Sequence, residues 1–165
     1  MPSIIDLLIA IDAETLVASY PAGTAASPTS VEQPLIFMMV RQANAVFGEA
    51  SKELKIRAQT EDQVRWRETT TTLNSSYFAL MYKFFALRGT DLLSAPEPLV
   101  ATVKVPLPDP ANPLQPRTQE IKSYFWSSTI LQPGETTYAF QFAVLDRHNT
   151  ALGYYLWDPF IKISE

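Results

Sequence analysis

This chain has one histidine to offer for chemistry. His148 stands in Asp146-Arg147-His148-Asn149-Thr150, a run of turn-forming residues between two aromatic, β-branched segments. A catalytic triad needs a base held against a nucleophile and oriented by an acid. Asp146 and the serines and threonines show no spacing that specifies one, so His148 reads as an exposed turn residue. With one histidine and no cysteine, thiolate catalysis and cysteine-based metal sites are excluded, and a zinc site is not expected. The carboxylates, among them Asp6, Asp12, Glu61, Asp62, Asp91 and Asp146, are scattered. No stretch spells an EF-hand loop, and the five glycines form no phosphate-binding loop. A carboxylate pair of the glycosidase kind need only meet in space, and nothing in the sequence points to one. The expectation is a protein without catalytic residues, metal or cofactor, and not an enzyme.

The three tryptophans offer a different chemistry. Trp66 lies between Arg65 and Arg67, Trp126 follows Tyr124-Phe125, and Trp157 precedes Asp158-Pro159. Packed inside, each indole supplies a large apolar surface to a core. Left outside, Trp66, Trp126 and Trp157 would make a stacking platform for a sugar or another flat ligand, with Arg41, Glu68 or Asp158 as polar partners. These six residues are the candidate ligand-binding set. The four methionines, Met38-Met39 among them, suit strand filling.

Composition narrows the partners. The chain has 165 residues, 47% of them apolar, and a formal net charge of −4 with a pI near 5.0. Its lysines and arginines form no basic run, which speaks against a nucleic-acid partner. The opening Met1-Pro2-Ser3-Ile4-Ile5-Asp6 lacks a basic start, and Asp6 and Asp12 interrupt its apolar stretch, so it does not read as a signal peptide. No apolar run reaches the ~20 residues that span a bilayer. The expected setting is the cytoplasm, away from membranes.

Whatever site exists must be held by strands. Ile4 to Asp12 reads as a first strand, apolar on both faces and so expected to be buried on both. Asp12 can cap a short helix over residues 13–19, with Glu14 in its first turn and Pro21 ending it. Residues 21–34 form a small-residue loop. Further strands are expected over 35–42, 54–58, 64–71, 77–87, 99–105 and 119–131, with a connection over 43–52 and a turn at Asn74-Ser75-Ser76. The aromatic 77–87 segment is long enough for a helix, but its flanking turn signals favour a strand. Residues 106–116 carry five prolines in eleven positions, which removes donors and fixes φ, so an extended loop is expected there. A final hairpin joins 137–145 to 153–163. Asp158-Pro159 interrupts its second strand, marking an edge or a bulge and a place for self-association. The tally is a single domain over residues 1–165: an all-β, two-sheet antiparallel β-sandwich of immunoglobulin-like type, with long proline-rich loops and at most a short helix.

Several segments together carry a family resemblance. They are Ile4-Ile5-Asp6…Ile11-Asp12, Arg41-Gln42-Ala43-Asn44-Ala45-Val46, Val64-Arg65-Trp66-Arg67-Glu68-Thr69, Tyr82-Lys83-Phe84, Asp91-Leu92-Leu93-Ser94-Ala95-Pro96, Tyr124-Phe125-Trp126 and Tyr154-Tyr155-Leu156-Trp157-Asp158-Pro159-Phe160. Together they resemble the AidA/PixA family of bacterial inclusion body proteins, and the AidA branch in particular, over essentially the whole chain. The resemblance implies a β-sandwich in the bacterial cytoplasm, expression under quorum-sensing control and a link to host interaction or virulence. In the PixA branch it implies crystalline inclusions, although this chain departs from the methionine-rich PixA pattern. It transfers no catalytic motif. Two functions follow as expectations. The first is a non-enzymatic protein acting through self-association, as a dimer or larger homo-oligomer, or through a protein or small-molecule partner. The alternative is a glycan-binding module built on exposed tryptophans.

Overall fold

A computed structural model describes residues 1–32, 34–48, 50, 53–73 and 75–164. Asn74 of the expected turn, Gln33 of the small-residue loop, and Glu49, Ser51 and Lys52 of the expected connection lie outside the described residues. The elements run β1 (Ile4–Ile11), α1 (Ala13–Ser19), β2 (Thr29–Ser30), β3 (Ile36–Val40), β4 (Ala45–Phe47), β5 (Leu54–Arg57), β6 (Gln63–Thr70), β7 (Tyr77–Arg88), β8 (Glu97–Asp109), β9 (Asn112–Thr129), β10 (Gly134–Asp146), β11 (Ala151–Trp157) and β12 (Phe160–Ser164). The fold is an all-β sandwich with one short helix. That helix starts where its cap predicts: the Asp12 carboxylate accepts the Thr15 N–H at 3.2 Å.

One sheet has the order β3-β1-β6-β9-β8. The other runs β2-β11-β10-β12-β5-β4, with β7 on the remaining side of β10. The pairing is not purely antiparallel as expected. β1 runs parallel to β6, β12 to β5 and β2 to β11. Short connections suggest hairpins, but here strands distant in sequence insert between neighbours, and such insertions need not alternate in direction.

The core lies between the sheets and is aromatic. Trp66, Phe84, Tyr138, Phe140 and Trp157 form a chain of ring contacts with centroids 4.9 to 5.8 Å apart at the Trp66–Phe84, Trp66–Tyr138 and Phe140–Trp157 pairs. β1 buries Ile5, Leu7, Ile9 and Ile11, while Ile4 and Leu8 stay 50% and 39% exposed. The double-sided burial expected for β1 is therefore corrected. A sandwich sheet has one inner face, and Ile4 and Leu8 lie on the other.

Two segments depart from simple alternation. β7 is a strand, as its turn signals indicate, yet Met81 and Phe84 are both buried although they are three residues apart. Opposite β10 the register slips there, with Gln141 facing Lys83 and Phe142 facing Met81. Tyr82 is the extra residue of a β-bulge, which moves the inner face from odd to even positions. The second departure is 106–116. Instead of a loop it completes a long hairpin, with Pro106 opposite Thr118 and a turn between Asp109 and Asn112. Proline is tolerated because β8 is the last strand of its sheet and its outer edge needs no donors.

The C-terminal hairpin forms as expected, and Asp146 organises its turn by accepting the His148 and Thr150 N–H groups at 2.7 and 2.9 Å. Its second strand is not an edge, however. β11 lies between β10 and β2, and β12 between β10 and β5. Asp158-Pro159 is the bend between these halves, with the Pro159 carbonyl accepting the Tyr138 N–H at 3.2 Å. Parallel entry of β2 alongside β11 brings Gly23 so close that an added Cβ would stand 2.5 Å from the Tyr154 carbonyl oxygen and 2.6 Å from the Thr29 nitrogen.

Candidate functional site

The part of the molecule that the core does not explain is the β8–β9 hairpin. β9 pairs with β6 only from Gln63–Thr129 to Trp66–Trp126, whereas its pairing with β8 continues to Asp109–Asn112. Beyond Trp126 the two strands leave the body as a two-stranded ribbon, and residues 112–122 of β9 are exposed throughout. One face of the ribbon carries Leu99, Ala101, Val103, Val105 and Leu107 of β8 with Ile121 of β9, beside Ser123, Gln119 and Arg117. The other carries Thr102, Lys104, Glu120 and Lys122. Leu99, Leu107 and Ile121 are each 40–45% exposed. A two-stranded ribbon is marginal in water by itself, and exposed apolar side chains along it favour an interaction surface.

The root of the ribbon is tied to the β7 bulge through one residue. The Met81 N–H donates to Glu68 Oε1 at 3.1 Å. The Met81 carbonyl accepts from the Tyr124 hydroxyl at 2.8 Å and from Trp126 Nε1 at 3.2 Å. A bulge turns backbone groups out of the ladder, and here side chains from β6 and β9 of the facing sheet satisfy them. Glu68 is half-buried, and its Oε2 is shut off from solvent without a hydrogen-bond partner among the described residues. Burial pushes the Glu68 carboxyl up from 4.5 to about 7, against the lowering effect of the Met81 amide. A carboxyl poised near neutrality suits acid–base work. This one faces the packed junction of two sheets and a backbone amide, so its geometry fits a tether.

On the outer face, Phe125 is buried beneath two arginines, with the Arg67 and Arg65 guanidinium carbons 4.6 and 5.1 Å from its ring centroid. Arg67 also pairs with Asp6 and donates to Ser123 Oγ at 3.3 Å. Beside them lies a cleft of about 240 Å³ lined by Asp6, Leu8, Met39, Arg41 and Arg67. Its charges are largely spoken for: Asp6 is paired with Arg67, and Arg41 donates to Asn44 Oδ1 at 3.1 and 3.3 Å. Among the described residues no group of three or more His, Asp or Glu is placed to hold a metal ion, and no helix is long and apolar enough to cross a membrane.

The sequence profile of the PixA inclusion body proteins matches residues 3–163. The chain belongs to the PixA inclusion body protein family. Its fold is similar to the crystal structure of the inclusion body protein PixA from Burkholderia cenocepacia J2315, with a TM-score of 0.80 at 22% identity, covering 99% of this chain and 97% of that one. The solution structure of amebosin aligns at a TM-score of 0.28 and 10% identity, too low to bear on the fold. No curated protein matches the chain.

In this PixA-family chain the six candidate residues do not form one site. The platform of exposed tryptophans is corrected by their burial: Trp66, Trp126 and Trp157 are 0%, 7% and 3% exposed. Trp66 donates from Nε1 to the Tyr138 hydroxyl at 3.3 Å, and Trp126 is opposite Trp66 across the β6–β9 ladder. Glu68 joins these two indoles around Phe84 and Met81. Arg41 lines the outer cleft, while Trp157 belongs to the other sheet and exposed Asp158 to the bend after it. Sequence reasoning missed Met81, Tyr124, Phe125 and Arg67. The signal for three of them was present. Period-two alternation that turns Trp66 and Trp126 inward sends Arg67 and Phe125 outward, and brings Tyr124 to the inner face.

Proposed function

We propose that this PixA-family protein works by associating with copies of itself, as a non-catalytic cytoplasmic component whose production is linked to quorum sensing and host interaction. The observation that carries the self-association is the β8–β9 ribbon. It projects past the last β6 pair and leaves Leu99, Leu107 and Ile121 exposed on one face. Burying such a face stabilises an assembly by roughly 25 cal/mol per Å² of apolar area removed from water. The family's description as inclusion body proteins supports the same reading. The regulatory link rests on the likeness to the AidA branch in Arg41-Gln42-Ala43-Asn44 and Tyr154-Tyr155-Leu156-Trp157-Asp158-Pro159.

Sedimentation velocity over a wide concentration range tests the self-association. The expected result is a sedimentation coefficient that rises with concentration and saturates at a defined oligomer. A strictly monomeric species at the highest concentrations would overturn it.

A further inference from the structure

β7 is the outermost strand of its sheet, and its free edge is unevenly satisfied. On β10 the Tyr138 N–H bonds to Pro159, on the side away from β7. Successive residues of a strand bond to opposite neighbours, so Ala139 and Gln141 bond to β7, at Phe85 and Lys83. Tyr77, Met81, Phe84 and Ala86, opposite Asp146, Phe142, Phe140 and Tyr138, turn their backbone groups outward. The first two are met from the facing sheet. The Tyr77 carbonyl accepts the Thr70 hydroxyl at 2.8 Å, and Met81 is held by Glu68, Tyr124 and Trp126. Phe84 and Ala86 have no such partner among the described residues. Their edge opens into a cleft of about 350 Å³ lined by Phe84, Phe85, Ala86, Leu93, Ala95 and Pro96. Of the two hydroxyls on its wall, from Thr90 and Ser94, the second is already engaged with the Ser128 hydroxyl and the Thr129 N–H. The free edge of β9 differs. Thr129 and Leu131 bond to Ser94 and Leu92 on the β8 side, so odd positions down to Arg117 bond to β8, and even ones such as Glu120 and Lys122 face solvent.

Unpaired amides along an apolar cleft are complementary to a segment of extended chain. Its N–H and C=O groups complete the ladder, and alternate side chains fill the cleft. Glu68, Tyr124 and Trp126 occupy the edge at Met81, so the added strand is short. Lys83 and Arg88 stand at the two ends of the open stretch, both exposed, and neither is ion-paired among the described residues. Two β7 edges laid antiparallel would bring Lys83 of each copy close to Arg88 of the other, and like charges across a ladder are unfavourable. The occupant is therefore a different strand, and an acidic residue at each of its ends meets both cations. We propose that the cleft beside β7 binds a short, extended apolar segment of a partner protein, flanked by acidic residues, which adds antiparallel to Phe84–Ala86 as one more strand. This site is separate from the β8–β9 ribbon and does not depend on association between copies.

The probe is the peptide acetyl-Glu-Val-Thr-Val-Glu-amide, titrated into the isotope-labelled full chain. In antiparallel register its valines stand opposite Ala86 and Phe84, its last glutamate opposite Lys83 and its first beside Arg88. The expected result is a saturable shift of the Phe84 and Ala86 amide resonances. N-methylation of either valine removes an edge hydrogen bond and is expected to abolish the shift. N-methylation of the threonine, whose N–H points away from β7 in this register, is expected to leave it. Replacing both cations, Lys83→Glu with Arg88→Glu, is expected to weaken the peptide several-fold. The same double variant is expected to bind a peptide carrying lysines in place of the two glutamates, and this rescue separates a change of charge from a loss of fold. Shifts that survive N-methylation of the valines would mean that the cleft takes apolar side chains without adding a strand, and would overturn the proposal. So would the absence of any shift at Phe84 and Ala86 at millimolar peptide. A monomeric parent would bear on the self-association reading alone.

Discussion

Glu68 and Met81, thirteen residues apart, meet across the two sheets: the Met81 N–H donates to Glu68 Oε1 at 3.1 Å. This bond places a carboxyl where water does not reach its second oxygen. The consequence is a titration that folding displaces. Unfolded, Glu68 releases its proton near 4.5; folded, it holds it to about 7. Between these values the native state binds more protons than the unfolded one, so stability falls as pH rises through the window, and the loss is complete above it. The displacement corresponds to up to about 3 kcal/mol. Glu68→Gln keeps an acceptor for Met81 and removes the titration. Denaturant melts at pH 5 and pH 8 are expected to show the parent losing stability across this range and the variant losing less. Equal slopes would contradict the placement of Glu68.

The tryptophans give a second prediction. Three buried indoles should emit at blue-shifted wavelengths and resist acrylamide, and unfolding should red-shift all three. A water-like emission maximum with strong quenching in the native protein would contradict their burial. Trp66→Ala removes the largest fully buried side chain and the donor to the Tyr138 hydroxyl, which keeps its bond to Met38 Sδ. It is expected to cost roughly 3–5 kcal/mol, read as a lowered denaturant midpoint.

Gly23 gives a third. Its Cβ position is occupied by backbone atoms of Tyr154, Pro28 and Thr29, and backbone cannot swing aside as a side-chain tip can. Gly23→Ala is expected to cost roughly 1–3 kcal/mol through displacement of β2 from β11. Gly23→Ala melting at the parent temperature would show that the segment adjusts freely.

Amide exchange on the ribbon gives a fourth. At concentrations where the protein is monomeric, Gln119, Ile121 and Ser123 are bonded to β8, whereas Glu120 and Lys122 are not. Alternating protection is expected, slow at odd positions and fast at even ones. Uniform exchange along 118–123 would mean that the ribbon does not hold its register.

Much of this architecture was legible. Asp12 announced its helix because a cap acts on the next few residues, and the Asp146 turn announced its hairpin for the same reason. Whether Trp66 faced in or out was left open by its neighbours Arg65 and Arg67, and it lies fully inside. What stayed hidden was non-local. The Tyr82 bulge depends on where β10 passes, and unbroken alternation along 77–87 would set Met81 and Phe84 on opposite faces, whereas both are buried. Residues 106–116 looked like a loop because proline is judged by the donor it lacks, and only the sheet order reveals that an outermost strand does not miss it. Glu68 entered the candidate set as a polar neighbour of tryptophans on a ligand platform. It does sit with Trp66 and Trp126, but inside, holding a backbone amide.

The place of β12 has a consequence for synthesis on the ribosome. Residues 160–164 lie between β10 and β5, and β5 reaches its sheet only through them. Nascent chain that has already exposed β4 and β5 must therefore wait, with Leu54 and Ile56 uncovered, until that segment clears the exit tunnel. A wait of about a hundred residues at ~5–20 residues per second lasts several seconds, long enough for a holding chaperone to engage the unfinished sheet.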